Sequence, residues 1–295
     1  KGRYPEGHSS DRPPAGDDDP PRVGNSYRLV GRPRAPVVPF PSTECHFAAI
    51  PVGMRIGEML RRVLELQLFY HPRMTEEMDE RNFLINHTIA PALERKLRGA
   101  PLPFPAHRLV VRGRTGTGLN AQVPLIHIAD SRRSDTPNLG WYVVLLFSLH
   151  GRSVFASLNK NSTVKVDRRD KKFDVEVLSN DEISRDRRWA IQELQGQATP
   201  TSVPRIPKID LGATSKIANA YEKTHVTGLR YRRSEIPEDE VLLADLRSLL
   251  DLLQVIYDAP PTPKRAPAVL DGWWEQGQPC RQHDFPWCSL CRPDS

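Results

Sequence analysis

Ile56, Met59, Leu60, Val63 and Leu64 recur at alternating intervals of three residues and one, the period of one helical face. This spacing predicts a helix that opens near Ile56 and reaches Tyr70. A second helix opens near Thr75, where Thr75-Glu76-Glu77-Met78 reads as a capped, acid-rich first turn. It runs through Phe83, Leu84, Ile85, Ile89 and Leu93, bent or broken at Pro91, and ends in the basic run from Glu94 to Gly99.

The pattern then shortens to the period of strands. Arg108–Arg112 and Val123–Ile128 are short apolar runs on either side of the glycine-rich stretch Gly113–Gly118. Trp141–Phe147 is apolar almost without interruption, which predicts a central strand with Tyr142, Val144 and Leu146 on one face. Ser153–Leu158 follows a turn at Leu149–Arg152, so these two runs predict a hairpin. A charged stretch between Lys160 and Arg188 and a basic knot at Arg230–Arg233 read either as solvated surface or as contacts for an anion. A last helix opens at Pro237, with Glu238, Asp239 and Glu240 against its N-terminal dipole and a stripe of Leu242, Leu246, Leu249, Leu253 and Ile256. The predicted fold is α+β: a mixed, mainly antiparallel sheet flanked by helices, plus a small zinc-stabilised C-terminal module.

Composition divides the chain. Residues 1–51 hold ten of the 28 prolines and little periodicity, which predicts an extended or disordered arm. The globular part is expected over 52–258, a proline-rich linker over 259–278 and a separate tail over 279–295. A formal charge of +6 favours an anionic partner. No apolar run reaches the roughly 20 residues that span a bilayer, so no membrane partner is expected. Cys45 stands alone, no disulfide framework is suggested, and a cytoplasmic location fits.

Cys280, His283, Cys288 and Cys291 stand in the tail as two ligand pairs, C-x2-H and C-x2-C, joined by a short link. Four soft donors at this spacing can close a tetrahedral zinc site, and a site filled by four protein ligands is structural. The glycine-rich loop lacks the lysine of a phosphate-binding loop and is followed by a strand rather than a helix, so it is not read as a nucleotide site. Missing side chains would instead let its main chain approach a nucleic-acid backbone. No complete catalytic motif is present, and whether the chain is an enzyme stays open.

From about 105 to 161 the sequence resembles the McrB-type N-terminal domains that recognise modified DNA. The likeness is carried by Arg108–Arg112, Gly116-Thr117-Gly118, Val123–Asp130, Leu139–Phe147 and Val154–Lys160, and extends more weakly over 53–258. It implies binding of double-stranded DNA that carries a modified base, with the base rotated out of the duplex into an apolar and aromatic pocket. Tyr142 and Leu146 fall at pocket positions, Leu125 stands where the family has an aromatic, and Thr117 holds the loop position that fills the gap in the stack. Arg112, Arg114, Gly118, Arg132, Arg133 and Lys160 are expected to place the phosphates. No motor motif is present, so a reader without a motor is expected, with any cleavage supplied by a partner nuclease or motor or by a segment outside this sequence. Two alternatives remain: a metal-dependent endonuclease of such a system, and an adaptor that docks other proteins through Trp273, Trp274 and the zinc tail.

Overall fold

The computed structural model describes residues 54–167, 173–197 and 199–260. The expected N-terminal arm, most of the linker and the cysteine-rich tail lie outside them.

Helix α1 spans Ile56–Leu66, and the Glu58 carboxylate accepts the Arg55 N–H at 3.0 Å to close its first turn. Helix α2 spans Glu76–Phe83, with Thr75 Oγ1 accepting the Met78 N–H as anticipated. The helix does not stop at Pro91. It widens into a π turn over Leu84–Ile89 and continues as α3, Ala90–Arg98. A proline ring collides with the carbonyl four residues back in an α-helix, and the wider turn just before it relieves that collision.

The main sheet contains β1 (Leu109–Arg114), β2 (Leu125–Asp130), β3 (Trp141–Phe147), β4 (Ser153–Lys160) and β7 (Thr227–Arg232), in the order β1-β2-β3-β4-β7. Every pairing is antiparallel, so the sheet is not mixed. Before β7 the chain forms a second hairpin, β5 (Thr163–Asp167) with β6 (Phe173–Val177), then helices α4 (Asn180–Glu193) and α5 (Lys216–Thr224). After β7 comes α6, Asp239–Asp258. The basic knot at Arg230 is therefore a strand whose Thr227, Leu229 and Tyr231 point inward.

Alternation along the strands creates two cores. One face, with Ile126, Val143, Leu145, Ala156 and Leu229, packs on α1, α3 and α6. The other, with Val110, Leu125, Tyr142, Leu146 and Phe155, lies under the segment 206–213 and α5. At Gly228 any side chain would meet the Ala156 carbonyl at 2.2 Å, so glycine is needed for β7 to sit this close to β4. None of the described helices is long and apolar enough to cross a membrane.

Candidate nucleic-acid interface

The loop between β1 and β2 is clamped at its root and bare at its tip. Asn120 is buried; its backbone N–H donates to Pro72 O at 2.8 Å, and its Nδ2 donates to His71 O and Arg73 O at 3.1 and 2.9 Å. Asn86 Nδ2 reaches Thr115 Oγ1 at 3.1 Å from the π turn. Gly116 has φ +116°, and a Cβ there would meet the Leu119 carbonyl at 2.0 Å. Thr117 and Gly118 are exposed at the tip, and Leu119 beside them is 63% exposed.

Beneath this loop lies Arg81, fully buried and without a carboxylate partner among the described residues. It donates to Gln67 Oε1, Asn82 Oδ1 and the Ala121 carbonyl. Burial pushes its pKa down to about 10, still far above neutrality, so the loop rests on an unneutralised positive charge.

Arg112 and Arg114 project from β1 on the face that carries Tyr142. Arg112 pairs with Asp135 at 3.0 Å, whereas Arg114 forms no ion pair among the described residues. His127 lies on the same face, its Nε2 3.0 Å from Ser134 Oγ and its ring 4.9 Å from that of Tyr142. Burial first, then the charges of Arg114 and Arg112, push its pKa down to about 3. It is neutral near pH 7, and its Nδ1 has no hydrogen-bond partner among the described residues. On the far side of Tyr142, Asn159 donates through Nδ2 to Tyr221 O at 3.3 Å, and its Oδ1 is likewise unpartnered. These are two of the three buried side-chain polar atoms without a partner among the described residues; the third is Gln254 Oε1 on α6.

The open pocket expected at Tyr142 and Leu146 is not present in this structure. Both side chains are 0% exposed, and Leu125 is buried beside them. Leu211, Ala213, Ala218 and Tyr221 cover this face, and the Tyr142 hydroxyl donates to the Lys160 carbonyl at 3.2 Å. The cover comes from residues more than sixty positions along the chain, which no local pattern around β3 announces. Burial raises the pKa of Tyr142, and that of Tyr221 to about 12, so both stay neutral phenols.

The expected phosphate contacts separate into two groups. Arg114, Thr117 and Gly118 gather at the end of the sheet where β1 leaves, with Arg112 one pair further in. Arg132 and Arg133 occupy the β2–β3 turn at the opposite end, and the Arg133 guanidinium lies 5.8 Å from the Tyr257 ring centre. Lys160 is also at that end. It is engaged internally, paired with Asp186 and 5.5 Å from the Trp141 ring centre.

Sequence reasoning missed Leu119, Asn120 and Arg81. Leu119 was legible as a large apolar residue inside an otherwise polar, glycine-rich run. The roles of Asn120 and Arg81 depend on contacts between distant segments. Among the described residues no three His, Cys, Asp or Glu side chains gather as a metal site.

A family model described as MrcB-like, N-terminal domain, matches residues 67–258. No curated protein and no solved structure matches the chain.

Proposed function

Because the chain belongs to the MrcB-like N-terminal domain family, we propose that it binds double-stranded DNA and discriminates a modified base. Arg114 and the exposed loop from Thr117 to Leu119 meet the duplex. Leu119, rather than Thr117, fills the gap left in the base stack, because it offers apolar surface where threonine offers little. The displaced base is received on the Tyr142 face, which requires α5 to lift from the sheet. That helix buries only Ala218, Ala220, Tyr221 and Thr224, a small apolar area for nine residues.

One observation carries this reading. His127 on β2, Tyr142 on β3 and Asn159 on β4 form a buried diagonal row across adjacent strands, and His127 Nδ1 and Asn159 Oδ1 both lack partners among the described residues. Buried polar atoms left unpaired in a folded protein are rare and costly. Here they offer hydrogen bonds to the edge of a nucleobase, beside a phenol ring and below two arginines.

In this reading the chain is the specificity module of a bacterial modification-dependent restriction or defence system, and cleavage belongs to a partner nuclease or motor. Cys280, His283, Cys288 and Cys291 hold one structural zinc ion in the tail. Fluorescence anisotropy with matched modified and plain duplexes over a salt series tests the function. Tighter binding to one modified duplex is expected, with affinity falling as salt rises. Equal affinity for all duplexes removes discrimination, and a flat salt response removes DNA binding.

A further inference from the structure

Two clefts lie on either side of the segment 206–212, which crosses the outer edge of the main sheet beside β7. The first, about 400 Å³, is bordered by Arg152 from the β3–β4 turn, Arg230 from β7 and Lys208 from the segment itself. The second, about 590 Å³, lies between α4 and α5 and is bordered by Arg188, Lys223 and the same Lys208. Lys208 therefore forms a shared crest between two cationic hollows.

The crest is firmly seated. Ile206 N–H donates to Gly228 O at 2.8 Å, Leu149 N–H donates to Leu211 O at 2.9 Å, and Arg187 Nη2 donates to Pro207 O at 3.0 Å. The two carboxylates in the clefts are occupied by the same segment: Asp210 accepts the Gly212 N–H at 2.9 Å and Glu222 accepts the Leu211 N–H at 2.7 Å. Arg152, Lys208 and Arg230 form no ion pair among the described residues. Arg230 is also pre-aimed, since its Nε donates to Ser153 Oγ at 2.9 Å and its guanidinium lies 5.8 Å from the Phe155 ring centre. Its two terminal nitrogens make no hydrogen bond within the described residues and remain available to a ligand.

We propose that these clefts form a track for the phosphodiester backbone of a nucleic acid, running over the segment that covers the base-discriminating face and resting on the DNA-binding reading above. The cations are spread over a turn, a strand, a coil segment and two helices rather than converging on one point, which suits a line of phosphates more than a single anion. The rings in the two linings are Phe155, itself 3% exposed, and the single imidazole of His150, too little for a run of stacked bases, so the track grips mainly backbone. It adds affinity without preference for sequence or modification.

The test is anisotropy of the full chain with a labelled plain duplex, a labelled modified duplex and the corresponding single strand, across a salt series. Lys208→Gln with Arg230→Gln is compared with wild type and with Arg95→Gln, which removes an exposed cation from α3. Thermal melting checks that each variant folds, and Arg152→Gln replaces Arg230→Gln if loss of the Ser153 contact lowers the melting point. The paired variant is expected to reduce the slope of log affinity against log salt by about two, one per phosphate contact, and to weaken all duplexes equally. A reduction seen with the duplexes alone assigns the track to double-stranded backbone, and one seen with the single strand as well assigns it to one strand. Wild-type affinity and slope in the paired variant overturn the track while leaving DNA binding intact, as does an equal loss in Arg95→Gln. If wild type binds no probe, the function itself falls and the track with it.

Discussion

Asn82 Nδ2 donates to Asn120 Oδ1 at 2.8 Å, and with the bond from Arg81 to the Ala121 carbonyl this contact ties helix α2 to the root of the glycine-rich loop. The loop tip is bare, so its shape depends on its root. Asn120→Ala would strip partners from the carbonyls of His71 and Arg73 as well as from Asn82. We expect a loss of about 1–3 kcal/mol in chemical denaturation and weaker DNA binding in anisotropy.

Leu119→Ser separates contact with DNA from folding. The side chain is largely exposed, so its replacement should change stability by less than about 0.5 kcal/mol. If it occupies a gap in the base stack, the variant should lose roughly tenfold in affinity, about 1.4 kcal/mol. Thr117→Ala should lose far less. Equal small effects from both would show that the tip does not enter the duplex.

Tyr142 gives losses of very different size for its ring and its hydroxyl. Tyr142→Phe removes one hydrogen bond to Lys160 O and should cost about 1 kcal/mol. Tyr142→Ala leaves a cavity between two strands and their cover, a loss of about 3–5 kcal/mol. Hydrogen exchange should detect α5 opening before the strands do, because its apolar anchor is small. A helix as protected as β3 would argue against base entry from that side.

Two buried histidines contribute to the loss of stability in acid. His225 sits between Ser157 Oγ and the Ile206 carbonyl, and burial lowers its pKa to about 4, while that of His127 falls to about 3. Both are depressed below the ordinary histidine value, so the unfolded chain takes up protons first as pH falls. Their contribution is fully present above about pH 6.5 and declines on the way down to the folded values, by up to about 1.4 kcal/mol per pH unit for each ring. Denaturation midpoints near about pH 7 and about pH 4.5 should show this decline. His225→Gln should flatten part of it.

Zinc content is measured directly by elemental analysis of purified chain. A single zinc per chain is expected, and Cys288→Ser should release it or make it removable by mild chelation. An equal zinc content in that variant would exclude the cysteine-rich tail as the site.

Legibility in the sequence followed the distance over which each feature is decided. The strand Trp141–Phe147 and the cap at Thr75 depend on neighbours along the chain, and both stand where the pattern placed them. Two further signals were present but hidden by charge. Ser179 and Glu182 form a reciprocal cap at the start of α4 inside the run of arginines, and Thr227, Leu229 and Tyr231 alternate through the basic knot of β7. The burial of Tyr142 is different in kind, because its cover arrives from 211–221. Positive charge at Arg132, Arg133 and Lys160 was visible, yet which end of the sheet a residue occupies depends on strand direction, and that is a property of the whole topology.

The outer edge of the sheet is met, among the described residues, only where Ile206 bridges to Gly228. Along the rest of β7 the main chain is flanked by Arg230 and Arg232, whose charges would have to be desolvated if another sheet docked there. For two copies crowded side by side on one stretch of DNA, that cost weighs against joining along this margin into a shared sheet.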